Sequence, residues 1–246
     1  MITLQEPKNQ RTKEPKKPAH SRFSGSPVLR FSGWLQIAIH IGALLPLIVL
    51  IWDFMHNNLT VNPIQEATFR TGKTALVLLV LSLACTPVNM LTGWKRVIAW
   101  RRPLGLYAFM YAALHLLIFA VVDYGFDWGL IWETVLEKRY VVVGFAAFLL
   151  LLPLAITSTK GWMRRLGKRW KKLHRLVYVA AVLAVIHFVW LVKADIREPL
   201  MYGAAVALLL VLRLPPVRRK INMFRSRLSL TTKNTKRTKA VRNPSD

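Results

Sequence analysis

The chain has 246 residues, 54% of them hydrophobic, yet Lys and Arg outnumber Asp and Glu by 36 to 11, for a formal charge of +25. This combination excludes an ordinary soluble globule, because long apolar runs are buried in a bilayer and the cations must then collect between them. It also argues against a nucleic-acid binder: the aromatics, 11% of the chain, lie in the apolar runs, and no nucleic-acid motif accompanies the charge.

Residues 1–30, rich in Lys, Pro and Ser, read as a disordered basic tail. The first apolar run after this tail is too long and too rich in Leu and Ile for a cleaved signal, and reads as an uncleaved anchor. Residues 31–217 hold six apolar stretches, at about 34–52, 71–91, 103–122, 140–157, 174–192 and 199–214. A helix rises about 1.5 Å per residue, so each approaches the length needed to cross a hydrocarbon core of about 30 Å. The runs are too long and too evenly apolar for barrel strands, and Pro215 and Pro216 close the last one. The expected fold is therefore an all-α integral membrane bundle of six transmembrane helices. Residues 218–246, basic and rich in Ser, Thr and Asn, read as a second disordered tail. No internal repeat of the kind that builds transporters from inverted halves is evident. Cys85 lies inside an apolar run, which leaves no disulfide framework and no thiolate metal site.

Charge sets the expected orientation. With the N-terminus cytoplasmic, thirty of the thirty-six Lys and Arg fall on that side, while eight of the eleven acids fall on the other. Every connection agrees with one topology, both ends inside. Trp34, Trp52, Trp94, Trp128, Trp132 and Trp162 fall near span ends, where amphipathic rings favour the interface.

No Asp or Glu lies deep in a span, whereas His40, His115, His174 and His187 lie within or at the margin of spans. Buried imidazoles without buried carboxylates suit a heme or metal ligand set better than a proton path. His115 lies about twelve residues into the third span from the cytoplasmic side and His187 about thirteen into the fifth, so both sit roughly 18–20 Å deep. Level imidazoles on two helices can take both axial positions of one heme. His174 lies thirteen residues before His187, about 20 Å away along the helix at the cytoplasmic margin. Its partner on the third span would fall near Arg101, which is not a histidine, and His40 on the first span is the nearest alternative partner for a second heme. The bland alternative, a histidine that only hydrogen-bonds between helices, applies to all of them and most to His40 and His56.

Arg101-Arg102-Pro103-Leu104-Gly105-Leu106 leading to Leu114-His115-Leu116, Thr157-Ser158-Thr159, and Leu166-Gly167-Lys168-Arg169-Trp170-Lys171-Lys172-Leu173-His174 carry a family likeness, with Val177-Tyr178 and Ile186-His187-Phe188-Val189-Trp190. These segments resemble the MsrQ (YedZ) family of the ferric reductase-like transmembrane superfamily, over about residues 31–220. The resemblance implies a bacterial inner-membrane subunit that takes electrons from the quinone pool, or from a cytosolic flavin reductase through FMN. It would pass them through one or two b-type hemes to a periplasmic molybdopterin methionine sulfoxide reductase of the MsrP type, which carries out the sulfoxide reduction. The family's heme histidines map onto His115, His174 and His187. Arg101 and Arg102, at the cytoplasmic end of the third span, are candidates to hold an FMN phosphate or dock a flavoprotein, or they only set topology. The acidic outer loop with Asp123, Asp127, Glu133 and Glu137 either steers a partner or is simply solvated. Two other readings are a heme-free membrane anchor for a partner and a ferric-reductase-like enzyme acting on small acceptors.

Overall fold

The structure is a computed structural model that describes residues 27–192, 195–221 and 223, with side chains from residue 34. Residues 1–26 and 224–246 of the expected tails lie outside the described residues. Among the described residues all regular structure is helical: α1 (Pro27–Met55), α2 (Pro63–Thr92), α3 (Val97–Leu117), α4 (Trp128–Glu137), α5 (Arg139–Ile156), α6 (Lys160–Leu166), α7 (Lys168–Leu173), α8 (Leu176–Leu191), α9 (Arg197–Val211) and α10 (Pro215–Ile221). A π-helical segment, Ile118–Asp123, extends α3.

The segments Trp34–Met55, Pro63–Thr92, Val97–Asp123, Arg139–Ile156 and Lys168–Leu191 are each long and apolar enough to span a membrane. The sixth expected span is broken. Its 15-residue α9 reaches only about 22 Å, and it passes the same test only together with α10, from which it is bent by 75°. Pro215 enforces that break, having no N–H to continue the ladder. The expected tail boundary at residue 217 falls inside α10.

Local chemistry explains the helix ends. Asn62 caps α2 by accepting from the Gln65 N–H, with Pro63 at the first helical position, and Gly93, at φ 78°, closes it in the left-handed conformation a glycine adopts without strain. The α5 terminus is tied down by hydroxyls that turn back on it, Thr157 donating to the Pro153 carbonyl and Ser158 to the Leu154 carbonyl.

The interior is packed by Leu78, Leu79 and Leu83 of α2, Ala108 and Tyr111 of α3, Leu151 of α5, Ala180 and Ala181 of α8, and Val206 of α9. The alanines are essentially inaccessible, which lets backbones approach closely in a lipid setting where apolar surface alone drives no association. Outward-facing Ile37, Ile41, Leu45 and Ile48 of α1 are more than half exposed, as a lipid-facing stripe requires. Where Pro46 interrupts α1, the Tyr111 hydroxyl stands in the ladder: it accepts from the Leu47 N–H at 3.0 Å and donates to the Ala43 carbonyl at 2.8 Å.

The two ends of the bundle differ in charge. Asp53, Glu66, Asp123, Asp127, Glu133, Glu137, Asp195 and Glu198 all fall at one end, where Arg70 pairs with Asp53 and Glu66, both at 2.5 Å, and Lys73 pairs with Glu198. The opposite end, with Lys95 to Arg102, Lys160 to Arg175 and Arg213 onward, has no acid among the described residues.

Candidate functional site

Helices α3 and α8 bring His115 and His187 together, with ring centroids 6.1 Å apart and planes 83° apart. Each ring is braced by a backbone carbonyl on another helix: His115 Nδ1 lies 2.8 Å from the Thr68 oxygen on α2, and His187 Nδ1 lies 2.7 Å from the Tyr140 oxygen on α5. A carbonyl only accepts, so each Nδ1 carries the proton and Nε2 keeps its lone pair. Two imidazoles bound through Nε2 to opposite sides of one metal, each by a bond of about 2 Å, have centroids about 6 Å apart. The observed separation fits that arrangement. Among the described residues no group of three or more His, Cys, Asp or Glu converges to hold a bare ion, so the pair suits a metal whose other ligands come from a macrocycle.

Glycines make room for both rings. A Cβ on Gly72 would lie 2.9 Å from His115 Nδ1, and one on Gly144 would lie 2.6 Å from His187 Nδ1. The two halves of the site repeat one another. Each histidine lies 47 positions after its carbonyl brace, and His187, Tyr140 and Gly144 each lie 72 positions after His115, Thr68 and Gly72. Thus α2–α3 and α5–α8 are copies of one helix pair running in the same sense, a parallel repeat rather than an inverted one. This repeat is absent from the sequence-based expectation. Its signal was the shared 43-residue interval between glycine and histidine, obscured because Leu81 to Pro87 aligns with Leu152 to Ser158 one position out of step.

The other predicted residues are placed differently. His174 lies against Trp170, with centroids 4.0 Å apart, and its Nε2 is 3.3 Å from Thr157 Oγ1. That hydroxyl gives its proton to the Pro153 carbonyl at 2.6 Å, so in this bond Nε2 is the donor and Nδ1 is left with the lone pair. His174 therefore presents the opposite nitrogen from the His115 and His187 pair. His40 Nδ1 bonds the Tyr107 hydroxyl at 2.9 Å on an exposed face of α1, and His56 stacks on Trp52. The Arg101 carbonyl accepts from Ser82, while Arg102 is exposed.

Arg213, which the sequence offered only as one cation of the last connection, turns into the bundle. Pro87 has no N–H, so the Leu83 carbonyl on α2 lacks its helical partner, and Arg213 Nη2 donates to it, while Nη1 donates to the Tyr178 hydroxyl at 2.6 Å. Arg213 Nε, Thr86 Oγ1 and Asn89 Oδ1 are buried without a hydrogen-bond partner among the described residues, each at a typical cost of about 1–3 kcal/mol unless something completes it.

The family described as "Ferric reductase like transmembrane component" matches residues 71–185, a stretch that contains His115 and His174 and stops just short of His187. Curated relatives cover more of the chain. A protein-methionine-sulfoxide reductase heme-binding subunit MsrQ from Rhodospirillum rubrum is 49% identical over 75% of this chain and 90% of its own length. One from Xanthomonas axonopodis pv. citri is 49% identical over 70% of this chain and 82% of its own, and one from Xanthomonas campestris pv. campestris is 48% identical over 71% and 83%. The spans, the paired histidines and these likenesses together make the chain a multi-pass membrane protein that belongs to the MsrQ family of ferric reductase-like transmembrane components.

Proposed function

We propose that the chain carries electrons across the bacterial inner membrane through b-type heme held between His115 and His187. The observation that carries this reading is the 6.1 Å imidazole pair with both Nδ1 atoms committed to backbone carbonyls. Thr68 and Tyr140 fix the tautomer and ring orientation and strengthen the donor at Nε2, as outer-sphere carbonyls do for metal-bound histidine. Gly72 and Gly144 let α2 and α5 close on the rings, and Phe69 and Phe188, with centroids 5.8 Å apart, add apolar walls from α2 and α8. Heme supplies a one-electron couple at that place, with a potential set by its axial ligands and surroundings.

The excess of cations at the basic end supports an orientation with both chain ends in the cytoplasm and the close pair in the outer half of the bilayer. Electrons enter at the basic end, from the quinone pool or from a cytosolic flavin reductase through FMN near Arg101 and Arg102. They leave at the acidic end to a periplasmic molybdopterin methionine sulfoxide reductase of the MsrP type. Partnership with a methionine sulfoxide reductase and the heme rest on the names of the relatives; the molybdopterin, the periplasmic side, the donor and the flavin rest on resemblance to the family. His174, one helix length inward, is the candidate ligand for a second heme, with His40 its candidate partner from α1.

The test is spectroscopic. Purified chain should show a reducible b-type spectrum, and His115→Ala or His187→Ala should each remove the heme held by the pair. Full heme content in both variants would refute the assignment. Folded, colourless parent protein that still binds its partner would select an anchor instead.

A further inference from the structure

The basic end holds half-buried positive charge that no acid among the described residues balances. Among the described residues Arg213 donates to neutral acceptors, the Tyr178 hydroxyl and the Leu83 carbonyl, and Arg101 packs on the same stretch of α2, its carbonyl accepting from Ser82 at 2.7 Å. All eight acids of the described residues lie at the opposite end. The three buried side-chain polar atoms without partners among the described residues, Arg213 Nε, Thr86 Oγ1 and Asn89 Oδ1, are all here. Thr86 and Asn89 come after Leu83 at intervals of three along α2, so they continue the side that Arg213 already touches. A cleft of about 360 Å³, lined by Arg213, Pro215, Arg218 and Arg219, opens at the bend between α9 and α10. Cations partly removed from water, beside a guanidinium N–H and a hydroxyl that are buried without partners, call for an anionic group.

We propose that Arg213 and Arg101, completed by the Thr86 hydroxyl, form an anion site at the basic end that takes a carboxylate or phosphate of a redox cofactor seated beside His174. The inference rests on the electron-transfer reading and adds to it where the cofactor's charged group is held. A porphyrin propionate and the phosphate of a flavin mononucleotide share the required chemistry. The guanidinium fork recognises either, and the α9–α10 cleft is a route by which a soluble flavin reaches it.

The experiment uses the full chain in nanodiscs of zwitterionic lipid, so that no lipid anion competes. Heme per chain and the affinity for FMN, read by fluorescence quenching, are compared for the parent, Arg213→Gln, Arg213→Lys and the isosteric Thr86→Val. A phosphate site predicts FMN binding at least tenfold weaker in Arg213→Gln with heme unchanged. A carboxylate site predicts unchanged FMN binding and loss of the heme fraction that survives His115→Ala. In either case Arg213→Lys recovers part of the loss, and Thr86→Val moves the same readout in the same direction by threefold or more. The proposal is overturned if Arg213→Gln and Thr86→Val both stay within twofold of the parent on both readouts. Should Arg213→Gln fail to accumulate, Thr86→Val decides by the same thresholds, since it removes only a hydroxyl that has no partner among the described residues. A parent without heme would end the electron-transfer reading, while the FMN arm would still decide this one.

Discussion

Replacing Gly144 by alanine adds one carbon where His187 already lies. The new Cβ would fall 2.6 Å from Nδ1, 2.8 Å from Cε1 and 3.1 Å from Cγ of the ring, against an ordinary contact of about 3.5 Å. The ring must move by close to 1 Å, and the backbone of α5 cannot give way cheaply, because the same helix supplies the Tyr140 carbonyl that holds Nδ1 at 2.7 Å. Overpacking of this kind costs about 1–3 kcal/mol, and loss of the hydrogen bond about 1 kcal/mol more. Even about 2 kcal/mol set against heme ligation is roughly a thirty-fold loss of affinity. Gly72→Ala is milder, with a closest approach of 2.9 Å to His115, and Gly42→Ala on α1, which meets nothing within 4 Å, is the control. The expected order of heme retention is Gly42→Ala, then Gly72→Ala, then Gly144→Ala, measured as heme per chain with the helical content of each variant checked by circular dichroism. Folded Gly144→Ala with full heme and an unshifted spectrum would refute the claim that the glycine seats the ligand.

Tyr111→Phe removes the hydroxyl that completes the α1 ladder at Ala43 and Leu47, and should lower stability by about 1–2 kcal/mol in thermal unfolding without altering the heme spectrum. His174→Ala should leave intact the heme proposed for the His115 and His187 pair, so any heme lost in that variant reports a second heme at the basic end. The half-exposed Lys73–Glu198 pair joins α2 to α9 at the acidic end, and a double-mutant cycle with alanine at both positions should give a coupling below about 1 kcal/mol that shrinks with added salt.

The spans were legible because a bilayer leaves few choices: long apolar runs, cations on one side and tryptophans at the ends each point to one topology. Equal depth was legible too, since a helix rises by a constant amount per residue, and it singled out His115 and His187 before their 6.1 Å approach was visible. What depth cannot give is rotation about each helix axis, and rotation decides the rest. It sets Thr68, Tyr140, Gly72 and Gly144 against the two rings, and it turns His174 so that Nε2 meets Thr157. Arg213 was hidden for another reason. In a connection full of cations nothing marks one as inward-facing, and the carbonyl it serves is orphaned by Pro87, well over a hundred positions earlier. The broken sixth span was half legible, since Pro215 announced a stop but not the 75° bend beside it.

The repeat that presents one imidazole from each half has a chemical corollary. A heme held there as proposed would meet two like nitrogens, from His115 and His187, each steadied in the same way by a backbone carbonyl. Carbon monoxide or dioxygen would have to displace one of those imidazoles to bind, and little would have to rearrange when charge arrives or departs. One plan used twice would thereby favour passing an electron onward over binding a small gas as a ligand.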